Sequence, residues 1–158
     1  MSVFANCSRR GFCLGMLSAV LAPLLHMRSA LALPDKLTPL IREATGGAEP
    51  KAGRVKLTLP PLAESGNSVV CKVHVESPMA PEDHVTSIHL LSEKNPRPVI
   101  ARFYLGPRSG RAEINTRIRL AASQQVVALA VMKDGSCWTD TATVIVTAAA
   151  CGVESKEG

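Results

Sequence analysis

The stretch QVVALAVMKDGSCWTDTATVIVT, residues 125–147, contains the clearest folding signal of the chain. Two apolar runs, 125–132 and 137–147, flank Lys133-Asp134-Gly135-Ser136. An Asp-Gly pair between two such runs is a strong signal for a β-hairpin. The stretch therefore predicts two antiparallel strands joined by a tight turn.

Five further segments upstream have the pattern of short strands. In each of them apolar and β-branched residues dominate or alternate with polar ones, and proline, glycine or asparagine follows all but the last of them. The segments are 54–59, 69–75, 85–91, 99–105 and 113–120. Together with the hairpin they make seven strands at intervals of roughly 8–12 residues, which predicts an all-β fold, an immunoglobulin-like antiparallel β-sandwich.

The segment before the strands has a helical period instead. Leu37, Leu40 and Ile41 recur at helical spacing, and Gly46-Gly47 ends the pattern. One short N-terminal helix over 34–45 is therefore expected. The expected boundaries are a helix and linker over 33–53 and a sandwich domain over 54–147.

Residues 1–32 have the features of an export signal. Ser8-Arg9-Arg10-Gly11-Phe12 precedes an apolar run over 16–25, and Ala30-Leu31-Ala32 makes an A-x-A cleavage site. Paired arginines before Phe12 indicate twin-arginine export to the periplasm. The apolar run is shorter than the roughly 20 residues of a spanning helix, so no membrane anchor is expected after cleavage.

The mature chain expected from residue 33 is nearly balanced in charge. Loss of Arg9, Arg10 and Arg28 leaves 15 basic and 13 acidic residues over 33–158. No basic stripe with interleaved aromatic residues remains, so nucleic-acid binding is not expected. Its length of 126 residues suits one domain with its own core.

The sequence contains few residues in the patterns that are typical of catalytic or metal sites. His74, His84 and His89 do not have the spacing of metal ligands, and we interpret each as a surface or edge histidine. There is no glycine-rich phosphate loop and no G-x-S-x-G motif. We therefore expect a protein that is not an enzyme and that carries no metal and no cofactor.

Three cysteines remain in the expected mature chain: Cys71, Cys137 and Cys151. An odd number in an oxidising compartment indicates intermolecular pairing or a reactive thiol. One interpretation joins Cys71 and Cys137 in a disulfide at one end of the sandwich. The other makes Cys71 a small buried hydrophobe and Cys137 an edge residue.

Cys151 stands among small residues, after Ala148-Ala149-Ala150 and before Gly152. A few extended residues would carry its thiol about 10–15 Å from the sheet, at about 3.3 Å each. We interpret 148–158 as a flexible arm and Cys151 as a point of covalent attachment. No basic residue near Cys151 in sequence lowers its pKa, so a loading enzyme would have to activate it. The alternative is a tail cysteine without a role, or one that forms a dimer.

Several stretches, in order and spacing, resemble one family across nearly the whole chain. They include Val75-Glu76-Ser77-Pro78-Met79, Glu93-Lys94-Asn95-Pro96-Arg97-Pro98 and Thr116-Arg117-Ile118-Arg119-Leu120-Ala121. The chain resembles SoxY, the sulfur-substrate carrier subunit of the periplasmic sulfur-oxidation system. The resemblance implies an immunoglobulin-like sandwich in a heterodimer with a SoxZ-like subunit. It also implies that Cys151 attaches thiosulfate-derived sulfur, which separate sulfur-oxidation enzymes load, oxidise and hydrolyse.

The arm departs from the family pattern at the functional point. The family's arm ends in Gly-Gly-Cys-Gly-Gly, whereas this one contains Ala149-Ala150-Cys151-Gly152-Val153-Glu154. Two alanines restrict the backbone more than two glycines, and Val153 and Glu154 add bulk and charge. The chain is thus similar to a paralogous branch of the family that keeps the thiol. The sequence does not identify the cargo of this branch or the enzymes that act on it.

Three functions remain in competition at the level of the sequence. The first is a covalent carrier that uses Cys151. The second is a non-carrier exported immunoglobulin-like module that pairs with a SoxZ-like subunit to bind or regulate other proteins. The third is a redox protein in which Cys71 or Cys137 exchanges with Cys151. Val69-Val70 and the run 126–132 are apolar on both faces and are candidates for a partner-binding surface.

Overall fold

The computed structural model describes residues 33–148, which form one α-helix and nine strands. The strands make two sheets that pack face to face. The helix is α1 (Thr38–Thr45), after a 3-10 turn at Asp35–Leu37, and the strands are β1 (Lys51–Ala52), β2 (Val55–Thr58), β3 (Leu62–Ser65), β4 (Val69–Val75), β5 (Val85–Ser92), β6 (Val99–Tyr104), β7 (Glu113–Ile118), β8 (Gln124–Met132) and β9 (Cys137–Ala148).

The larger sheet has the strand order β1-β9-β8-β5-β6, and β3 also pairs with β9 along the edge that β1 occupies. The smaller sheet has the order β2-β4-β7. The hairpin predicted around Asp134-Gly135 is present as β8 and β9, paired from Gln124 and Val144 to Val131 and Cys137. The expected all-β, immunoglobulin-like sandwich is confirmed.

The strands β1 and β3 are absent from the seven predicted ones. The first lies in the segment expected to be a linker, and the second follows Pro60-Pro61, which predicts the end of a strand. Both pair in parallel with β9, so the expectation of a purely antiparallel sandwich is wrong at this edge. Two and four residues are too few to show a period, and both strands form on the long edge that β9 offers.

The main core lies between the two sheets. Residues of β4 alternate strictly between buried and exposed, as expected for a strand with one face on the core and one in water. Val73, Ile88 and Ala128 are completely buried between the sheets. The alternation read from the sequence therefore places the inward face of this strand correctly.

A second, smaller core lies on the outer face of the larger sheet, under α1. Leu37 and Ile41 pack there against Leu129 and Cys137, and all four side chains are buried. The helix is present where the sequence predicts it, and Gly46 ends it with a φ of 63°. Within residues 33–148, no helix has the length and apolarity to cross a membrane.

The helix also explains why β8 is apolar on both faces. Val126, Ala128 and Ala130 face the main core, whereas Val127 and Leu129 face α1. The run 126–132 is therefore covered by the chain itself, and its interpretation as a partner-binding surface is wrong. Of the other candidate pair, Val69 is buried and Val70 is exposed.

Candidate functional site at the base of the cysteine arm

The strand β9 delivers the chain to the predicted arm. Its regular pairing with β8 ends at Val144 and Gln124, four residues before the strand itself ends at Ala148. Cys151 follows three residues later. Ala149, Ala150, Cys151 and Gly152 lie outside the described residues, so the site is defined here by what holds β9.

Side-chain and backbone contacts hold the last four residues of β9 on both sides. On the side of β8, the Ser123 hydroxyl accepts a hydrogen bond from the Val146 amide at 2.8 Å and donates to the Val146 carbonyl at 3.3 Å. On the other side, β3 pairs in register with Val146 through Ala63 and with Ala148 through Ser65. The strand is therefore fixed where its partner β8 has ended.

The hydrogen bonds continue to the last described residue. The Gly66 amide donates to the Ala148 carbonyl at 2.8 Å, and the Thr147 hydroxyl donates to the Glu64 carbonyl at 2.8 Å. Gly66 in turn accepts a hydrogen bond from the Leu120 amide at 2.8 Å. Since the backbone of Ala148 is anchored, the freedom to move a thiol at Cys151 has to come from residues beyond it.

The two cysteines that the structure describes are poor nucleophiles. Cys71 is fully buried between the sheets, and this burial raises the pKa of its thiol to about 11. The pKa of Cys137 is also raised, by burial and secondarily by the charge of Asp134. The thiolate is the reactive form of cysteine, and at neutral pH a thiol with the pKa of Cys71 forms it in only about one molecule in ten thousand.

Cys71 and Cys137 are both free thiols in the structure. Cys71 belongs to the main core, whereas Cys137 belongs to the smaller core under α1. The larger sheet lies between these two cores, so the interpretation that joins the two cysteines in a disulfide is wrong. Exchange of either thiol with Cys151 would require the core to open, which removes the support for the redox function.

The histidines take up structural roles. His84 and His89 are both buried, which corrects their interpretation as surface or edge residues, whereas His74 is exposed as expected. The Nδ1–H of His84 donates to the carbonyls of Ala80 and Pro81 at 3.1 Å each. The pKa of His89 is lowered by burial and by the charge of Arg102. Within residues 33–148, no three potential ligands from histidine, cysteine, aspartate or glutamate come together as a metal site.

An exposed apolar pair lies beside the base of the arm. Leu62 and Ile145 are register partners on β3 and β9, and their side chains are 55% and 56% exposed. Exposed large apolar side chains mark places where other proteins bind when they cluster near a functional group.

Sequence reasoning missed the residues that anchor the end of β9, and the predicted arm itself lies outside the described residues. Ser123 and Gly66 look like ordinary turn residues in the sequence, and Leu62–Ser65 is too short to show a strand period. Their roles depend on pairing with residues more than 20 positions away. One signal was available in the sequence. The predicted last strand, 137–147, is longer than its hairpin partner, 125–132, so the end of the last strand needed another strand to pair with.

Comparisons with known proteins agree with this architecture. The family described as "Sulfur oxidation protein SoxY" matches residues 41–151, and its match thus reaches Cys151. The chain belongs to the SoxY family. No protein of curated function matches the sequence.

Solved structures resemble the fold to different degrees. The sulfur carrier protein SoxY from Chlorobium limicola f. thiosulfatophilum is 25% identical, with a TM-score of 0.59, and the match covers 71% of this chain and 96% of that one. A superoxide reductase (neelaredoxin) from Ignicoccus hospitalis is 16% identical, with a TM-score of 0.54, over 60% of this chain and 80% of that one. The second likeness concerns the fold alone. The family assignment confirms that the protein is not an enzyme.

Proposed function

We propose that this protein is a periplasmic covalent carrier of the sulfur-oxidation system. In this proposal Cys151 bears a thiosulfate-derived sulfur species, and the arm is the segment from Ala149 to Gly152. The predicted start of the arm at Ala148 is corrected by one residue, because Ala148 is the last paired residue of β9. The single observation that supports it most is the anchoring of β9 up to Ala148, three residues before a thiol that the family match includes. A rigid base with a short free extension presents cargo to several enzymes in turn.

The unreactive state of the other thiols supports the assignment to Cys151. Burial removes Cys71 and Cys137 from chemistry and raises the pKa of both. An unperturbed thiol has a pKa near 8.5, so a few per cent of it is thiolate at neutral pH. Of the three cysteines after residue 32, Cys151 is then the one at which sulfur would be loaded.

The attachment chemistry requires a second protein. Joining the Cys151 sulfur to the sulfane sulfur of thiosulfate forms one S–S bond and releases a proton and two electrons. The described residues offer no group that accepts those electrons, so a separate loading enzyme supplies the acceptor. Removal of the terminal sulfonate is then a hydrolysis that leaves sulfur on Cys151.

Two partners complete the proposal. A SoxZ-like subunit forms a heterodimer with this chain, which is supported by the resemblance, and the enzymes that visit the arm contact the exposed pair Leu62 and Ile145. Export through a twin-arginine signal at 1–32 places the protein in the periplasm. Because Val153 replaces the last glycine of the usual arm and Glu154 follows it, we expect enzymes with a wider and less acidic entrance than those of the usual arm.

The first test is the mass of the mature protein from its own host during growth on reduced sulfur. We expect an adduct on the Cys151 peptide that a reductant removes, and its mass identifies the cargo. Cys151→Ala should abolish the adduct and sulfur oxidation together. Cys71→Ala, which removes a thiol of the core, is the matched control and should keep both.

A bare Cys151 under those conditions, with normal sulfur oxidation in Cys151→Ala, would contradict the carrier function. That result would favour a non-carrier binding or regulatory module paired with a SoxZ-like subunit.

A further inference from the structure

The strand β6 is an open edge of the larger sheet, since the order β1-β9-β8-β5-β6 ends there. It pairs antiparallel with β5, and just after it the Leu105 amide donates to the Thr86 carbonyl of β5 at 3.0 Å. Positions that bond to the neighbouring strand alternate along such a ladder with positions that do not. Tyr104 and Arg102 therefore point their N–H and C=O groups away from β5, where an added strand could bond to them.

The strand β7 lies on the same side of the sandwich as this open edge. The Leu57 amide on β2 donates to the Asp140 carboxylate on β9 at 2.7 Å, so β2 lies over β9. In the order β2-β4-β7, the strand β7 is then at the opposite edge, on the side of β6. Ile100 and Phe103 of β6 and Ile114 of β7 pack against the main core but stay partly exposed. This side thus combines an unpaired strand with apolar side chains that are only partly covered.

The same side carries an excess of positive charge. Residues 94–119, which comprise β6, β7 and the loops beside them, contain seven cationic side chains and one carboxylate, Glu113. Glu76 and Glu93 adjoin this segment, and seven cations against these three carboxylates leave a net charge of +4. The rest of residues 33–148 contains seven cationic and eight acidic side chains. The seven cations of the segment are all exposed and are Lys94, Arg97, Arg102, Arg108, Arg111, Arg117 and Arg119.

Arg102 is the cation on the open edge itself. Its register partner on β5 is His89, which is not acidic. None of the seven cations forms an ion pair with a carboxylate of residues 33–148. The carboxylate of Glu113 belongs to the smaller sheet, where it accepts a hydrogen bond from the Asn115 amide at 3.0 Å. A carboxylate on an added strand could therefore pair with Arg102 without displacing one of these groups.

Charge also decides which kind of strand fits the open edge. Pairing of β6 with a second copy of itself would bring two net-positive surfaces together, and like charges that face each other across strands are destabilising. A charged side chain such as Arg102 is a usual protection of an edge strand against self-pairing. An acidic strand gains instead a cross-strand pair with Arg102, and it can cover Tyr104, whose side chain is 77% exposed.

We propose that β6 accepts an extended strand from an acidic partner protein, which continues the larger sheet beyond its open edge. Main-chain hydrogen bonds to Arg102 and Tyr104 supply the pairing, and the net positive charge of residues 94–119 selects the partner. The strand β9 is three strand intervals away, about 14 Å at about 4.8 Å each, so a partner at β6 leaves the base of the arm accessible. This inference goes beyond the proposed function, since it involves neither Cys151 nor its cargo.

The test uses the full chain and two fluorescent peptides of about ten residues, one that alternates valine with glutamate and one that alternates valine with lysine. At low salt we expect the acidic peptide to bind about tenfold more tightly than the basic one, and about 0.5 M salt to narrow the difference because it screens exposed charges. Hydrogen exchange measured by NMR should slow at the amides of Arg102 and Tyr104 when the acidic peptide is bound. Equal binding of the two peptides, or unaltered exchange at these amides, would overturn the proposal.

Variants at Arg102 separate the backbone from the charge. Arg102→Pro removes the outward N–H without removing a bond to β5, and it should abolish binding of the acidic peptide. Arg102→Gln keeps the N–H and should weaken binding several-fold, whereas Arg42→Gln removes the same charge from α1 and should leave it unchanged. If Arg102→Pro unfolds, Arg102→Glu serves in its place and should reverse the preference between the peptides.

A second copy of the chain is the competing occupant. Sedimentation of the wild type at high concentration tests it, and we expect no dimer that depends on β6. A dimer that Arg102→Pro or Arg102→Glu disperses would assign the open edge to a second copy and overturn the acidic partner. None of these results bears on the sulfur adduct at Cys151, so failure of this inference and failure of the carrier function are distinguishable.

Discussion

At the scale of the residue, the environment of each cysteine decides its chemistry. Cys71 and Cys137 have the same side chain as Cys151, but the folded protein removes two of the three from water. Burial penalises the thiolate, which is why the pKa of both thiols is raised. Of the three cysteines after residue 32, burial therefore makes these two unreactive, which is why the proposed carrier function uses Cys151.

Burial of Cys71 makes the free energy of unfolding sensitive to alkaline pH. Its pKa is about 11 in the folded protein, against the ordinary 9.0, so the stabilisation is complete below pH 9 and is lost as the pH rises through 11. By pH 11 we expect a loss of about 2 kcal/mol from this group, at about 1.4 kcal/mol per pH unit. Urea unfolding at pH 8 and pH 11 measures it, by comparison of the wild type with Cys71→Ala. An identical pH dependence in the two proteins would contradict it.

The sequence predicted the position of Cys71 but not that of Cys137. Strict alternation in β4 identifies Cys71 as inward-facing from local pattern alone. Cys137 is buried by a helix about 100 residues earlier in the chain, and no local pattern reports such a contact. The same limit explains why Ser123, which anchors the arm, looked like a turn residue.

At the scale of the element, α1 closes the outer face of the larger sheet. The helix supplies Ile41 and the 3-10 turn before it supplies Leu37, whereas β8 and β9 supply Leu129 and Cys137 from the other side. The sequence predicted both the helix and the doubly apolar strand, yet it did not pair them. A strand that is apolar on both faces is expected to be buried on both faces, and only the tertiary structure shows which elements pack against it.

Truncation of the Leu37 side chain should expose Cys137 but not Cys71. Leu37 is completely buried, so Leu37→Ala should cost about 2–5 kcal/mol of docking energy and loosen α1. We expect Cys137 to become reactive to a thiol reagent while Cys71 stays protected. Residue-resolved alkylation in the native protein measures both, and Leu40→Ala, which truncates a partly buried side chain of the same helix, is the milder control. Equal exposure of Cys71 would indicate global unfolding instead.

At the scale of the whole molecule, the two sheets are joined by more than apolar packing. The Asp140 carboxylate on β9 accepts a hydrogen bond from the Leu57 amide on β2 at 2.7 Å, across a separation of 83 residues. Its second oxygen accepts from the Thr141 amide at 2.8 Å. The strand that leads to the arm is thus also a strand that holds the second sheet.

Removal of this bridge should destabilise the whole sandwich in one transition. Asp140→Ala leaves the amide of Leu57 without its acceptor, and we expect a loss of about 1–3 kcal/mol. Asp140→Asn keeps an acceptor oxygen and should lose less. Denaturant unfolding followed by fluorescence of Trp138, the single tryptophan, gives both values. A loss as large in Asp140→Asn as in Asp140→Ala would show that charge matters more than the acceptor.

The pairing of β9 on both edges has a mechanical consequence. A partner that draws the arm into a cleft pulls along the axis of β9, and the hydrogen bonds to β8 and β3 lie across that axis. The load is then a shear that many bonds bear at once, whereas a terminal strand peeled from an edge breaks its bonds one after another. A pull on the chain beyond Ala148 should therefore leave β9 in place up to a higher force than a strand paired along one edge would bear.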